Sequence, residues 1–138
     1  MKRVGTAFAP AILLMLVLAV ATGCTVAAQS PGKIELSATE FDFGTIPNTK
    51  SVSQVFQVHN VGGDKLEITG VSTSCGCTTV KVGSRSLSPG EVTDLTVTYD
   101  PQAHDGATGE FMRLVYVRSN DPETPEASFT IRVTVVEP

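Results

Sequence analysis

The sequence predicts an all-β domain, an antiparallel β-sandwich of seven to eight strands that follows an N-terminal signal segment. Three observations lead to this prediction. Apolar and polar residues alternate with a period of two in several short segments, turn-forming residues separate these segments, and no segment carries the 3.6-residue periodicity of an amphipathic helix. Short strands at regular spacing are typical of a sandwich.

The alternation is clearest in residues 65–69, 95–99 and 129–135, where apolar side chains fall on one face of each strand and polar side chains on the other. Residues 110–118 are apolar on both faces, which indicates an inner strand. The predicted strands are 34–37, 40–43, 51–59, 65–72, 78–82, 91–99, 110–118 and 128–136. Turn-forming residues separate them at Gly44, Gly62-Gly63-Asp64, Ser88-Pro89-Gly90, Asp100-Pro101 and Asn120-Asp121-Pro122.

Residues 1–23 have the features of a bacterial lipoprotein signal peptide. Two basic residues precede an uncharged apolar run, residues 7–20, that is too short for an ordinary transmembrane helix. Residues 21–24, ATGC, resemble a lipobox, in which the cysteine, here Cys24, receives a diacylglyceryl group before cleavage. Cleavage after Ala28 by an ordinary signal peptidase is the alternative, and it predicts a secreted or soluble periplasmic protein.

Lipidation of Cys24 would anchor the chain to a membrane of the cell envelope. Thr25 rather than aspartate follows the cysteine, which in a Gram-negative cell favours the periplasmic side of the outer membrane. Residues 24–32 then form a short tether, and residues 33–138 form one sandwich domain.

The charge of the chain argues against nucleic acid as a partner. The full sequence has 10 Lys and Arg residues and 14 Asp and Glu residues. Removal of residues 1–23 takes away two basic residues, Lys2 and Arg3, and leaves a net charge of −6. No basic cluster remains to attract phosphate groups.

The segment Cys75-Gly76-Cys77 is the strongest candidate site. With Cys24 lipidated, Cys75 and Cys77 remain as an even pair in a compartment where disulfides persist. In an extended strand their Cα atoms would be about 6.5–7 Å apart, at the outer limit for a disulfide, so we expect Gly76 to let the backbone bend. The loop-entropy relation gives such a small ring only about 1.6 kcal/mol of stabilisation.

Three interpretations of this pair stay open. The cysteines could form a labile thiol/disulfide switch. Their thiolates could bind a soft ion such as Cu(I), whereas Zn²⁺ prefers four ligands. They could also have a purely structural role in a bend between two strands, since cysteine packs as a small hydrophobic residue. His59 and His104 are isolated in the sequence, and we expect them to be solvated or hydrogen-bonded rather than functional.

Other catalytic patterns are missing from the sequence. It contains neither a Gly-x-Ser-x-Gly nucleophile elbow nor a phosphate-binding glycine loop. The acidic residues are scattered, and Glu40 and Asp42 simply alternate with two phenylalanines as a half-buried strand requires. These observations predict that the protein is not an enzyme and needs no resident cofactor.

Several short segments together resemble one bacterial family, catalogued as domain of unknown function 1573. In chain order they are FDFGTI (41–46), NVG (60–62), LEI (66–68), SCGCT (74–78), PGE (89–91), LTVTYDP (95–101) and SNDP (119–122). The resemblance implies an immunoglobulin-like sandwich, similar to the hydin and major-sperm-protein type, and a location in the cell envelope. It implies no particular chemistry.

The sequence therefore predicts a non-enzymatic protein-interaction module, held at the membrane by lipid on Cys24. Its partner would be another envelope protein, which could pair with an edge strand. The alternative is a thiol-redox or Cu(I)-binding protein that acts through Cys75 and Cys77. No residue pattern points to a particular partner or oligomeric state.

Overall fold

A computed structural model describes residues 28–138, which form an all-β domain with nine strands and one four-residue 3₁₀ turn. The predicted signal peptide and Cys24 lie outside the described residues. Within residues 28–138 no helix is long and apolar enough to cross a membrane. The strands are β1 (Ile34–Leu36), β2 (Glu40–Pro47), β3 (Val52–Asn60), β4 (Leu66–Thr73), β5 (Thr78–Val82), β6 (Ser86–Leu87), β7 (Val92–Tyr99), β8 (Gly109–Ser119) and β9 (Glu126–Val136), and the 3₁₀ turn is Pro101–His104.

The strands form two sheets packed face to face. One sheet has the order β1-β3-β7-β5, and the other has the order β2-β9-β8-β4-β6. This arrangement confirms the predicted sandwich, and every predicted strand is present. Two features differ from the prediction: β6 is an additional two-residue strand, and β2 pairs with β9 in parallel whereas all other pairs are antiparallel.

The core lies between the sheets, where the alternating apolar side chains of both sheets meet. Phe56 of β3 contacts Phe129 of β9, with ring centroids 4.6 Å apart, and Phe41 of β2, at 5.3 Å in an edge-to-face arrangement. Phe43 packs edge-to-face on Phe41 at 5.1 Å. These rings link both sheets, which explains the spacing of the two phenylalanines in the FDFG segment.

Gly44 lies inside β2 rather than at its end. Its φ of 73° is in the left-handed region, and the pairing with β9 shifts register between Asp42 and Thr45. The Gly44 amide donates to the Asp42 carboxylate at 2.7 Å. The residue predicted to end this strand therefore forms a β-bulge, after which β2 continues to Pro47.

The domain has two opposite ends, which we call the tether end and the crossover end. Ile34, at the start of β1, pairs with Asn60 at the tether end of β3. Val52, at the other end of β3, pairs with Tyr99. Nine residues of strand at about 3.3 Å each separate the two ends by roughly 27–30 Å.

Two buried polar side chains fix the chain at the tether end. Asp121, 2% exposed, accepts hydrogen bonds from the backbone amides of Ile34, Glu123 and Thr124 at 2.9–3.1 Å. Burial acts to raise the pKa of Asp121, but these three donors outweigh it, and the pKa lies below the ordinary value of 3.8. Asn60, 1% exposed, bonds to four backbone groups in the segments around it.

The last residues of the predicted tether also contact this end. A side chain at Gly62 would overlap the Pro31 carbonyl, and a Cβ at Gly32 would lie 2.6 Å from the Lys65 carbonyl oxygen. Pro31 and Gly32 therefore pack closely on the loop between β3 and β4.

Candidate functional site

Cys75, Gly76 and Cys77 connect β4 to β5 and carry the chain from one sheet to the other at the crossover end. Just before them, the Ser74 amide donates to the Leu114 carbonyl of β8 at 3.0 Å. At their other end, the Cys77 carbonyl accepts from the Asp100 amide, which follows β7, at 2.8 Å. The connection is thus held by hydrogen bonds to both sheets.

The two cysteines are joined as a disulfide, with Cα atoms 5.3 Å apart. This separation is shorter than the strand value because residues 75–78 form a turn, closed by the Thr78 amide donating to the Cys75 carbonyl at 3.2 Å. Cys77 is 1% exposed, whereas Cys75 is half-buried. One sulfur atom is therefore accessible and the other is enclosed.

Gly76 does not use the conformational freedom that we expected of it. Its φ is not positive, and a Cβ at this position would meet no heavy atom within 4 Å. The bend comes from the turn around residues 75–78, a geometry open to other residue types.

His104 lies beside the accessible sulfur, with its Nε2 atom 2.9 Å from Cys75 Sγ. The 3₁₀ turn places it there. Asp100 caps the start of this turn by accepting from the Gln102 amide at 3.0 Å, and Asp105, with a φ of 55°, ends it. His104 is isolated in the sequence and, as expected, hydrogen-bonded, but its partner is Cys75, because the chain folds back after β7 onto the Cys-Gly-Cys turn.

Arg113 lies beside the enclosed sulfur. Its Nε donates to Cys77 Sγ at 3.1 Å, and its guanidinium carbon is 5.1 Å from the ring centroid of Phe111. Nη1 also donates to the Met112 carbonyl at 2.8 Å. Among residues 28–138, no carboxylate forms a salt bridge with Arg113. Its positive charge therefore faces a sulfur atom and an aromatic ring instead of an acidic partner.

Tyr99 belongs to the same surroundings. It is 1% exposed, and its ring centroid is 6.3 Å from that of Phe111. Burial raises the pKa of Tyr99; Arg113 opposes this effect and Asp100 reinforces it. The phenol thus stays neutral at physiological pH, and the guanidinium of Arg113 is the charged group that contacts Cys77 Sγ.

Together, Cys75, Cys77, His104 and Arg113 form what we call the sulfur cluster. Cys75 Sγ, Cys77 Sγ and His104 Nε2 all lie within 4.8 Å of one another. Within residues 28–138 no other group of three His, Cys or carboxylate side chains is arranged to hold a metal ion. The sequence singled out the two cysteines and missed Arg113 and the role of His104, although Arg113 falls on the inward face of β8 in the same alternation as Phe111 and Val115.

Fold and site together define an immunoglobulin-like β-sandwich with a Cys-Gly-Cys crossover. Residues 34–135 match the family described as "Protein of unknown function (DUF1573)", and the chain belongs to this family. No curated protein sequence matches the chain.

Solved structures with the same fold come from bacteria and from humans. A protein of unknown function from Porphyromonas gingivalis W83 superposes with a TM-score of 0.69 at 23% identity, over 82% of this chain and 51% of its own. The chain thus spans about half the length of that protein. PapD-like domain 7 of human CEP192 gives 0.63 at 12% identity, over 77% and 87% of the two chains. The periplasmic chaperone SfaE gives 0.52 at 15% identity, over 77% and 61%. These similarities show the fold alone.

Proposed function

We propose that the protein is a lipid-anchored interaction module of the cell envelope that binds another protein through the outer edge of β5 and catalyses no reaction. The observation that carries this proposal is that within residues 28–138 no strand pairs with that edge. An unpaired strand offers backbone donors and acceptors to the strand of a partner.

The hydrogen bonds at both ends of β5 indicate which of its backbone groups face outward. The Cys77 carbonyl accepts a hydrogen bond from the Asp100 amide, and the Gly83 amide donates to a carbonyl of β7. Because an antiparallel strand alternates between inward and outward groups, Thr79 and Lys81 also face β7, while the amide and carbonyl groups of Val80 and Val82 point away from it. The side chains of both valines pack partly on the core, so the edge is held in an extended shape.

A proline at position 80 tests this edge. Val80→Pro removes one outward amide and blocks strand addition without breaking a bond to β7, whereas Thr79→Pro breaks one and should destabilise the domain. A photo-reactive residue at Lys81 should crosslink a partner in the envelope, and Val80→Pro should abolish the product. Crosslinks that survive Val80→Pro, or that form equally well from Arg118 on the other sheet, would refute binding at β5.

Lipid on Cys24 would fix the orientation of the domain. Five residues separate Cys24 from Ser30, where the chain reaches the tether end, so the two residues lie at most about 22 Å apart. The crossover end, with the sulfur cluster and the start of β5, would then face away from the membrane.

Membrane fractionation of Cys24→Ser tests the anchor. The expected result is a chain that leaves the membrane fraction or stays unprocessed, since the lipidated residue is lost. Normal processing with unchanged membrane association would refute lipidation and favour cleavage after Ala28.

A second candidate function, thiol–disulfide exchange, is favoured by the positions of His104 and Arg113. An incoming thiolate would attack the accessible Cys75 sulfur, form a mixed disulfide with it and release Cys77 as a thiolate. Arg113 would stabilise that thiolate by a charge-assisted hydrogen bond. The reductant is a dithiol, and its second thiolate then attacks the reductant's own sulfur atom in the mixed disulfide. This step releases Cys75, and the reductant leaves as a disulfide.

Single-cysteine variants test this asymmetry. With Cys24 replaced by Ser, the Cys77→Ser variant should form a mixed disulfide with oxidised glutathione through Cys75, whereas Cys75→Ser should react far more slowly because Cys77 is 1% exposed. Intact mass spectrometry reads the adduct. Equal reaction of the two variants, or a wild-type pair that resists reduction by dithiothreitol in the folded state, would refute the exchange function.

A further inference from the structure

We propose that the reduced sulfur cluster is a Cu(I) site with three ligands, Cys75 Sγ, Cys77 Sγ and His104 Nε2. The sequence offered only two thiolates, and the structure adds the third ligand, with all three atoms within 4.8 Å of one another. Two sulfur atoms and one imidazole nitrogen are soft and borderline ligands that suit Cu(I), which accepts a low coordination number.

Copper binding needs Cys75 and Cys77 as thiols, so this proposal rests on the second proposed function only for the reduction of their disulfide. A dithiol reductant supplies two electrons and two protons to the Cys75–Cys77 disulfide and itself becomes a disulfide. Cu(I) then displaces the two thiol protons and bonds to both sulfur atoms. The copper ion keeps its oxidation state throughout this step.

Small movements are enough to assemble the ligands. The two cysteines share one turn, and His104 already lies 2.9 Å from Cys75 Sγ on a turn whose ends are fixed by Asp100 and Asp105. Reduction separates the two sulfur atoms and opens a space between them that the imidazole borders. The metal would sit at the surface of the crossover end, because Cys75 is half-buried and His104 is exposed.

Charge distinguishes Cu(I) from a divalent ion at this place. Two thiolates and one Cu(I) leave one negative charge, which the guanidinium of Arg113, 3.1 Å from Cys77 Sγ, neutralises. The same ligands around Zn²⁺ would be neutral, and Arg113 would then add an uncompensated positive charge next to a dication. Zn²⁺ also prefers a fourth ligand, and the group of side chains here has three members.

The test uses the full chain in detergent with Cys24 replaced by Ser. The protein is reduced and kept anaerobic, and two free thiols are counted before the titration, so that failure of reduction is distinguished from failure of copper binding. Cu(I) is then supplied from a chromophoric Cu(I) chelator. We expect one Cu(I) per chain, retained in the presence of excess Zn²⁺, and X-ray absorption with two sulfur neighbours and one nitrogen neighbour.

Matched variants identify the ligands. His104→Ala should weaken Cu(I) binding by more than about tenfold, since even a lost outer-sphere partner costs about 10–100-fold in metal affinity. His59→Ala, which alters the other histidine, should leave the Cu(I) affinity unchanged. Cys75→Ser should no longer take Cu(I) from the chelator. The proposal is overturned if His104→Ala binds as tightly as the parent, if the nitrogen neighbour is missing, or if Zn²⁺ displaces the copper.

Discussion

Replacing Arg113 by Gln should slow chemical reduction of the Cys75–Cys77 disulfide. The guanidinium donates to Cys77 Sγ at 3.1 Å and has no acidic partner among the described residues, so its charge is available to a developing thiolate. A hydrogen bond to a charged group contributes about 1.5–3 kcal/mol. The leaving sulfur carries about 0.4–0.5 of its final charge in the transition state, so about 0.6–1.5 kcal/mol is lost there, which corresponds to a rate lower by about 3- to 13-fold.

The assay follows disulfide reduction by excess dithiothreitol at fixed pH, with alkylation of free thiols and intact mass as the readout. Arg118→Gln is the matched control, because Arg118 is also in β8 but lies on the exposed face and pairs with Glu126. Arg113→Lys keeps a positive charge and should recover part of the rate. An Arg113→Gln rate equal to wild type, or an equal slowing by Arg118→Gln, would show that the guanidinium does not act on the leaving thiolate.

Three further predictions concern stability. Asp121→Asn should lower the free energy of unfolding by about 2 kcal/mol, since the amide group replaces an acceptor oxygen by a donor. In wild type, folding lowers the pKa of Asp121. The stabilisation by its carboxylate is therefore present above about pH 4 and is lost as the pH falls through the folded pKa. Urea unfolding at pH 7 and pH 3 should thus give a smaller difference between the two proteins at pH 3, and an equal difference would contradict this. Gly76→Ala should change the unfolding free energy by less than about 0.5 kcal/mol, and a larger loss in thermal unfolding would mean that the turn needs glycine. Reduction of Cys75–Cys77 should cost no more than about 1.6 kcal/mol in the same urea assay, and unfolding on reduction would refute the small-ring argument.

The strand pattern was predictable because it depends on local alternation. Residues 128–136 carry an apolar side chain at every second position, and β9 does face the core with that set. Alternation does not specify pairing, so the parallel contact between β2 and β9 was not foreseen. The two-residue strand β6 is too short to show any period, and it exists through its pairing with Leu66 and Glu67 of β4.

The Cys-Gly-Cys turn was identifiable as a candidate site, but its neighbours were only partly so. Arg113 could have been noticed, because it lies at an inward position of β8, two residues from Phe111 and two from Val115. A charged side chain at such a position needs a hydrogen-bonding partner inside the domain. His104 gave no local signal. It is 29 residues from Cys75 in sequence and reaches it only through the pairing of β5 with β7.

That pairing explains why the chemistry belongs to the junction of the two sheets rather than to the Cys-Gly-Cys motif. Thr78 pairs with Tyr99, so residues just before β5 must lie beside residues just after β7, and His104 follows as the end of a capped turn. Arg113 comes from the opposite sheet. Without these two neighbours the disulfide is a small ring of little energetic value. With them, one sulfur is accessible beside an imidazole and the other is enclosed beside a cation, an asymmetry that a purely structural crosslink does not need.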